Sequence, residues 1–509
     1  MPTDPLPNEV TALRAEVAAL RADLAAARQE NTLLRQKIDA LVRRVFGASS
    51  ERLDPAQLEL LLALPAAPVA AAPAPPVVPR PPRPRAERTP RLPEDLPVVE
   101  EGIDPAPVQA QPEQGRCLGQ EVSEQLDYEP GRFFRRRTVR RKSVSRLEPA
   151  AAPVVAPLPP CLQERGRAAP GLLAYIIVSK DCDPLPLYRQ EQICRRRQGV
   201  HLPRQTLARW VALAADWLQL IYEIIHTGVV AGGYVQIDET PIAYLAPGTG
   251  RTQRGYLWTA SQPGGDVVFR WETSRAATCL ENLVPVDFTG TVQSDGYAAY
   301  RAFADRRGEA IELAGCWAHV RRKFVEAVAQ TPRTAAWLLG PIQRLSRIEA
   351  ELRAQRAGPR LRAAVRAHQS RPLVTRLQQA LVRLKARGRH LPHSLLGQAI
   401  DYALGQWSTL ETYVADGRVE IDNNLVENAI RPTAVGKKNW LFIGEEEAGQ
   451  RSAILYTVIE SCRRREIDPY ASLRDVFTRL PRMTTRQWAE VTPAAWARAR
   501  RNAARSTAS

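Results

Sequence analysis

The chain has 509 residues, and its 71 Lys and Arg against 54 Asp and Glu leave a net charge of +17. A chain of this length usually folds into several domains, and a positive charge of this size predicts a polyanionic partner, nucleic acid before membrane. It has no apolar run of the roughly 18 residues that a membrane span needs and no signal-peptide pattern. Its seven scattered Cys indicate a reducing compartment rather than a disulfide framework. We therefore expect a soluble cytoplasmic protein.

Residues 9–46 show the clearest periodicity, with apolar side chains at alternating spacings of three and four residues. This pattern predicts a left-handed coiled coil within residues 1–50. The seam comprises Val10, Leu13, Val17, Leu20, Leu24, Ala27, Asn31, Leu34, Ile38, Leu41 and Val45. Acidic residues at the g positions would face Arg at the e positions of a parallel partner, which favours a homodimer through 9–46, and Asn31 at an a position would fix its register. The alternative is a single amphipathic helix packed on its own core.

Two polar segments follow the coiled coil. Residues 65–112 contain 15 Pro among 48 residues, which predicts a stiff polyproline II linker. Residues 113–165 form short strand-like runs with a basic stripe from Arg132 to Lys142. Alternation of Phe and Val with Arg would place a cationic face on a β-ribbon, and a solvated run of charge explains the stripe equally well.

The segment 166–230 has a helical pattern interrupted at Gly199. Two helices, a short turn and a third helix that starts at Pro203 resemble a helix-turn-helix. Arg204, Gln205 and Thr206 would then occupy the end of a recognition helix that meets base edges or phosphates. Any packed unit of three helices would give a similar pattern.

Three carboxylates occur at element ends in the segment 231–445. Asp238 follows an apolar run in YVQIDETPIAYL, and Asp295 follows another in GTVQSDGYAAY. A long helical stretch, about 317–415, separates them from Glu427, which lies on the first turn of a helix that Asp422 and the two following Asn residues can cap. Carboxylates so arranged suit two Mg²⁺ ions, which prefer oxygen ligands and can promote in-line displacement at phosphorus. Isolated Asp residues at strand ends are more often caps or ion pairs.

The chain resembles the insertion-sequence-66 family of transposases over nearly its full length. The similar stretches, in order, are RRVFGASSERL, LLAYIIVSK, LPLYRQE, VQIDETPI, GYLW, VQSDGYAAY, LAGCWAHVRRKF and EIDNNLVENAIRPTAVGKKNWLFIGEEEAGQRSAILYTVIESCRRREIDPYASLRDVFTRLP. The resemblance implies an RNase H-like catalytic domain of the DDE type. It places Asp238, Asp295 and Glu427 on the family's acidic triad, as catalytic residues and metal ligands.

Together these features predict a multidomain α/β protein. It would have an N-terminal coiled coil, a helical DNA-binding region and an RNase H-like catalytic domain with a helical insertion. A C-terminal helical region, 446–485, and a basic tail, 486–509, would follow. The expected activity is metal-dependent DNA cleavage and strand transfer at the ends of an insertion sequence, with Mg²⁺ as cofactor and Mn²⁺ as its substitute. The expected partners are the element's terminal inverted repeats, target DNA and accessory proteins of the same element, in the bacterial nucleoid and away from membranes.

Further residues near the triad carry weaker predictions. Cys316 and His319 could form half of a zinc site, but a structural zinc site needs four ligands, so a packing or DNA-positioning role is favoured. Cations near the carboxylates are expected to hold phosphates, with a solvated face as the alternative. These cations are Arg321, Arg322, Lys323, Lys437 and Lys438. Trp440 is predicted to fill a core rather than to stack on a base.

The chain departs from the family in the segment 113–165. The family carries a small zinc module there, built on two CxxC pairs, whereas this segment retains only Cys117 and Cys161 and contains no His. No zinc site is therefore predicted. Loss of this module raises the alternative of a catalytically inactive DNA-binding protein derived from a transposase. A carboxylate-pair glycosidase would explain neither the heptads nor the basic charge.

Overall fold

The structure is a computed structural model. It describes residues 131, 133–136, 142–143, 154–155, 159–164, 166–246, 248, 250–388 and 390–508. The predicted coiled coil, the Pro-rich linker and most of the basic segment lie outside the described residues. The helices and strands below all belong to the compact unit that includes Arg135–Ser509.

One mixed five-stranded sheet forms the centre of the described chain. Its strands are β3 (Tyr234–Leu245), β4 (Thr252–Ser261), β5 (Val267–Glu272), β6 (Gly290–Gln293) and β7 (Ile311–Ala314), in the spatial order β5-β4-β3-β6-β7. The meander β3-β4-β5 is antiparallel, whereas β6 is parallel to β3 and β7 is parallel to β6. A separate two-residue pairing joins β1 (Lys142–Ser143) to β2 (Val154–Val155). The predicted basic ribbon, Arg132 to Lys142, reaches this pairing only at its last residue.

Fifteen α-helices accompany the strands in the described part of the chain. They are α1 (Pro170–Asp181), α2 (Leu187–Gln198), α3 (Arg204–Val230), α4 (Cys279–Leu283), α5 (Ala298–Arg307), α6 (Trp317–Ala327), α7 (Pro332–Ala354), α8 (Pro359–Val365), α9 (Arg371–Ala386), α10 (Leu395–Gly405), α11 (Trp407–Ala415), α12 (Asn424–Trp440), α13 (Glu446–Arg463), α14 (Pro469–Arg479) and α15 (Pro493–Ala508). Shorter 3₁₀ turns occupy Gly308–Ala310, Leu480–Arg482 and Thr485–Val491, and a π-helix occupies Arg366–Ser370.

The two faces of the sheet enter different hydrophobic cores because successive strand residues point to opposite sides. On β3, Val235 and Ile237 face a core that contains α1, α3, α5, α13 and α14. Ile242 and Tyr244 face a second core with α12 and part of α13. Gln236, Asp238 and Thr240 place polar side chains on this second face of β3. These three side chains therefore lie between buried apolar regions.

The helices of the predicted DNA-binding region share the large core of the five-stranded sheet. Leu207, Leu218 and Ile225 of α3 are fully buried in it, together with Leu455 and Phe477 of the C-terminal helices. α1 packs on α14, and α3 packs on α13. Residues 166–230 thus contribute to one core with the sheet and the chain that follows it.

The stretch 317–415, expected to be helical, consists of α6 to α11 with the π-helix between α8 and α9. Its apolar residues form a third core, in which Trp317, Leu338 and Leu377 are buried. A buried ion pair joins Arg366 of the π-helix to Glu349 of α7, with Nε 2.7 Å from Oε1. In the described residues, no helix is both long and apolar enough to cross a membrane.

Candidate active site

The parallel pairing of β3 and β6 brings two of the three predicted carboxylates together. Gln236 of β3 lies opposite Gln293 of β6 in this register. Asp238 and Asp295 each follow two residues later, and side chains two positions apart on a strand lie on the same face. Asp295 lies just beyond the end of β6, and its charge acts on Asp238, so the two carboxylates are neighbours. The same spacing recurs at β7. Gln293 pairs with Ala314 of this strand, and Cys316 follows Ala314 by two residues.

A tight turn after β6 fixes Asp295. Its Oδ1 accepts a hydrogen bond from the backbone N–H of Tyr297, 2.9 Å away, and its backbone carbonyl accepts one from the hydroxyl of Tyr402. Gly296 adopts φ +87°, where a Cβ would lie 2.7 Å from the Gln406 side chain. The turn therefore requires glycine both for its backbone conformation and for space.

Glu427 reaches the site from the first turn of α12. A fully buried pair of glutamines anchors the segment before this helix: Gln293 Nε2 donates to the backbone carbonyl of Glu420 at 2.8 Å, and Gln236 Nε2 donates to that of Asp422 at 2.9 Å. Gln236 Nε2 also donates to Gln293 Oε1 at 2.9 Å. The same two strands that position the Asp residues thus hold the N-terminal end of α12.

The predicted cap of α12 is only partly present. Asp422, which precedes the N-cap residue Asn423, accepts a hydrogen bond through Oδ1 from the N–H of Asn424 at 3.2 Å. Asn423 makes no cap through its side chain, and its two polar side-chain atoms are buried without a hydrogen-bond partner.

His319 and Arg322 of α6 face the Glu427 carboxylate. His319 Nδ1 lies 3.7 Å from Oε1, and Arg322 NH2 lies 3.7 Å from Oε2. Neither His319 Nδ1 nor Glu427 Oε1 has a hydrogen-bond partner, although both atoms are buried. Burial lowers the pKa of His319, and the carboxylate of Glu427 opposes that effect.

Burial, together with the neighbouring carboxylates, raises the pKa of Asp238 to about 8. Burial of this half-buried side chain is the largest cause, followed by the negative charges of Glu239, Asp295 and Glu427. Burial and like charges both disfavour the ionised form of an acid. Without a cation, the site therefore retains a proton on Asp238 at neutral pH.

Glu239 forms a second network on the opposite face of β3, which the sequence analysis missed. Its Oε1 accepts a hydrogen bond from Arg275 Nε at 2.7 Å, and its Oε2 accepts one from the hydroxyl of Tyr300 at 2.5 Å. The Arg275 guanidinium also lies 3.7 Å from the ring centroid of Tyr297, in the turn that fixes Asp295. The tandem acids in QIDET were the available signal, but they do not reveal partners that are distant in sequence.

The donors of this site fit a hard divalent cation. The charges of Asp295 and Glu427 act on Asp238, one Glu427 oxygen lacks a hydrogen bond, and Asp238 is destabilised as an anion. Mg²⁺ binds to oxygen ligands of this kind. A second set of possible metal ligands, which includes softer donors, shares Glu427 with the carboxylates. Ligand atoms of Cys316, His319 and Glu427 lie within 4.8 Å of one another. The structure thus adds a third ligand to the Cys–His pair, one fewer than a structural zinc site uses.

The other cations of the sequence analysis differ in their relation to the site. Arg322 contacts Glu427, and the charge of Lys323 acts on His319. Arg321 is exposed on α6. Lys437 Nζ donates to Thr240 Oγ1 at 3.3 Å and to the Pro241 carbonyl at 3.2 Å, just beyond Asp238 on β3.

The remaining predicted residues lie outside the carboxylate cluster. Lys438 is exposed on α12. Trp440 packs against the core that contains Ile242 and Tyr244, as the core prediction requires. Arg204 and Gln205 are exposed and Thr206 is half-buried on the first turn of α3, and no described contact joins them to the carboxylates. Their role in DNA recognition stays a prediction.

Comparison with known proteins identifies relatives over most of the chain. The family described as "Transposase IS66 family" matches residues 165–451, and that described as "Transposase C of IS166 homeodomain" matches residues 33–100. Two similar proteins come from Sinorhizobium fredii. "Uncharacterized protein y4qI" is 36% identical over 397 residues, covering 75% of this chain and 72% of the relative. "Uncharacterized protein y4jD" is 32% identical over 470 residues, covering 88% of this chain and 91% of the relative. The matched region contains the carboxylate cluster and every strand of the sheet, and the chain belongs to the IS66 family of transposases.

Proposed function

We propose that this transposase cleaves DNA at the ends of an insertion sequence and joins the exposed 3′-hydroxyl to target DNA. The observation that carries the proposal is the β3–β6 register, which supports a single site made of Asp238, Asp295 and Glu427. A mixed sheet with one acid on its central strand, one after the adjacent parallel strand and one on a later helix also supports an RNase H-like domain. The +17 charge suits a DNA substrate.

The three carboxylates would hold Mg²⁺, with Mn²⁺ as a substitute. When bound, two such ions can activate a water or a 3′-hydroxyl and stabilise the leaving oxygen at phosphorus. Cleavage and joining are both in-line displacements, so one site can serve both.

The side chains of the protein prepare this site in three ways. Gln236 and Gln293 hold the start of α12 against the sheet, which orients Glu427. His319 and Arg322 lie beside Glu427 and restrain its carboxylate from the other side. The Asp238 carboxyl holds a proton at neutral pH and releases it when a cation compensates the negative charge around it.

Contacts with DNA would come from cations around and beyond the site. Arg321, Lys323 and Lys438 could hold phosphates near the carboxylates. Arg204 and Gln205 would distinguish element ends from other DNA. Joining two ends requires two active sites, and a homodimer through the predicted coiled coil would supply them.

An assay with end-labelled duplexes that carry the element's terminal repeats tests the proposal. We expect Mg²⁺-dependent cleavage that leaves a 3′-hydroxyl and stops when EDTA is added. Binding of these duplexes without cleavage in Mg²⁺ or Mn²⁺ would contradict the proposal and favour the alternative, a catalytically inactive DNA-binding protein.

A further inference from the structure

The helical stretch between Asp295 and Glu427 accounts for most of the net positive charge of the chain. Residues 317–415 contain 17 Lys and Arg against 5 Asp and Glu, a net charge of +12, whereas the whole chain carries +17. The third core already accounts for the apolar residues of this stretch. Only part of its charge is used internally, as in the ion pairs of Arg362 and Arg366 with the buried Glu349.

Part of this charge lies on one face of α7. The buried residues of the helix are Ala335, Leu338, Ile342, Leu345, Ile348, Glu349 and Leu352. Arg333, Trp337, Arg344 and Arg347 follow one another at spacings of four, seven and three residues, which a helix with 3.6 residues per turn places along one side. All four are exposed, on the side opposite the buried residues. We name these four residues the α7 face.

The α7 face lacks internal partners. Among the described residues, none of its three arginines forms an ion pair or a side-chain hydrogen bond, whereas Arg353 farther along α7 pairs with Glu420 at 3.3 Å. Trp337 is 61% exposed, an unusual position for so large an apolar ring. Cations interleaved with an exposed aromatic ring suit a ligand with both charge and apolar surface.

Neighbouring contacts connect this face to the candidate active site. α6, which carries His319 and Arg322, precedes α7 and packs against it. At the other end of α7, Arg353 contacts Glu420, seven residues before Glu427. Both ends of the helix thus join elements that position the third carboxylate.

We propose that the α7 face binds the backbone of duplex DNA that extends from the active site. Arg333 and Arg347 lie about 21 Å apart along the helix, from a rise of 1.5 Å per residue, and a duplex carries about 12 phosphate charges over that length. The three guanidiniums contact phosphates, and the Trp337 ring packs against the deoxyriboses between them. The identification of the polyanion as DNA rests on the proposed function.

The test measures binding of the full-length protein to a fluorescein-labelled 40-base-pair duplex of arbitrary sequence, in EDTA, between 50 and 300 mM NaCl. Replacing Arg333, Arg344 and Arg347 together by Gln should reduce the log–log salt slope by about 2–3, because each phosphate contact contributes about 0.9. Trp337→Ala should weaken binding by roughly threefold to tenfold without changing the slope, because it removes a non-ionic contact.

Two matched controls distinguish DNA binding by the α7 face from a general effect of net charge on DNA binding. Lys at the same three positions should retain the slope. Gln at Arg486, Arg498 and Arg501, which are exposed outside the insertion, removes the same charge and should change the slope by much less. An unchanged slope for the α7 variant, or equal losses for both Gln variants, would overturn the proposal. Tighter binding of a 40-base-pair RNA duplex that depends on the α7 face would also overturn it. Because no metal is present, failure to cleave DNA would leave these results unaffected.

Discussion

Replacing Asp238 by Asn should stabilise the metal-free protein at alkaline pH. Burial and three neighbouring carboxylates raise the pKa of Asp238 from an ordinary value of 3.8 to about 8. Between these values the native carboxyl holds a proton that the unfolded chain has released. The free energy of unfolding of the wild type therefore falls as the pH rises through this window. The amide of the Asp238→Asn variant does not titrate, so the advantage of the variant should be small near pH 5 and grow towards pH 8.

The size of this effect follows from the pKa difference. One unit corresponds to about 1.4 kcal/mol, so the shift sets an upper limit of roughly 5–6 kcal/mol. The side chain is only half-buried, and water screens part of the repulsion, so we expect about 1–2 kcal/mol at pH 8. That is roughly 1–3 °C in Tm for a cooperative unit of this size.

Thermal unfolding in EDTA at pH 5.5 and pH 8 provides the measurement. The control is Asp287→Asn, which removes a carboxylate that is exposed and outside the cluster. Adding Mg²⁺ at pH 8 should raise the Tm of the wild type by mass action and have little effect on Asp238→Asn. A variant that is less stable than the wild type at pH 8, or a difference that does not grow with pH, would refute the electrostatic account of this site.

Three further predictions address other parts of the account. Gln293→Leu leaves the carbonyl of Glu420 and other buried groups unpaired, so it should reduce the free energy of unfolding by about 2–4 kcal/mol and slow DNA cleavage. Denaturant unfolding and a cleavage assay measure the two effects. Wild-type values for both would argue against a role of Gln293 in anchoring the start of α12. His319→Gln should reduce cleavage about 10- to 100-fold, as the loss of a residue that supports a metal ligand does, with unchanged DNA binding; a cleavage rate like that of the wild type would remove His319 from the site. The isolated peptide 1–50 should sediment as a dimer, and Asn31→Leu should raise its Tm while relaxing its oligomeric state; a monomer at tens of micromolar would contradict the predicted coiled coil.

The local sequence drew attention to the three candidate carboxylates, but the predicted strand end at Asp238 was wrong, because β3 continues from Tyr234 to Leu245. Apolar runs before Asp238 and Asp295 predicted strand ends, and Asp422 with its following Asn residues predicted the start of the helix that carries Glu427. The strands and the helix are present, and Asp422, just before the helix, accepts a hydrogen bond from the backbone N–H of Asn424. The sequence did not reveal that the two strands are paired with Gln236 opposite Gln293, since that register depends on residues 57 positions apart.

The contacts that complete the site were also inaccessible to local reasoning. Glu239 was passed over beside Asp238 because its partners, Arg275 and Tyr300, lie 36 and 61 residues away. The pattern of 166–230 likewise predicted helices but not the surface on which they pack. The buried face of α3 meets the sheet and α13, because the large apolar surface of the sheet has to be covered from both ends of the chain.

DNA cleavage by three single variants, measured side by side, shows whether the three carboxylates act as one site. Asp238→Asn, Asp295→Asn and Glu427→Gln each remove one proposed metal ligand and leave the exposed arginines in place. We predict that each variant loses cleavage of element-end duplexes in Mg²⁺ by about 10³-fold, equivalent to about 4 kcal/mol, while duplex binding in EDTA stays within about threefold of the wild type. Any one of them cleaving at the wild-type rate would contradict a single site made of these three carboxylates.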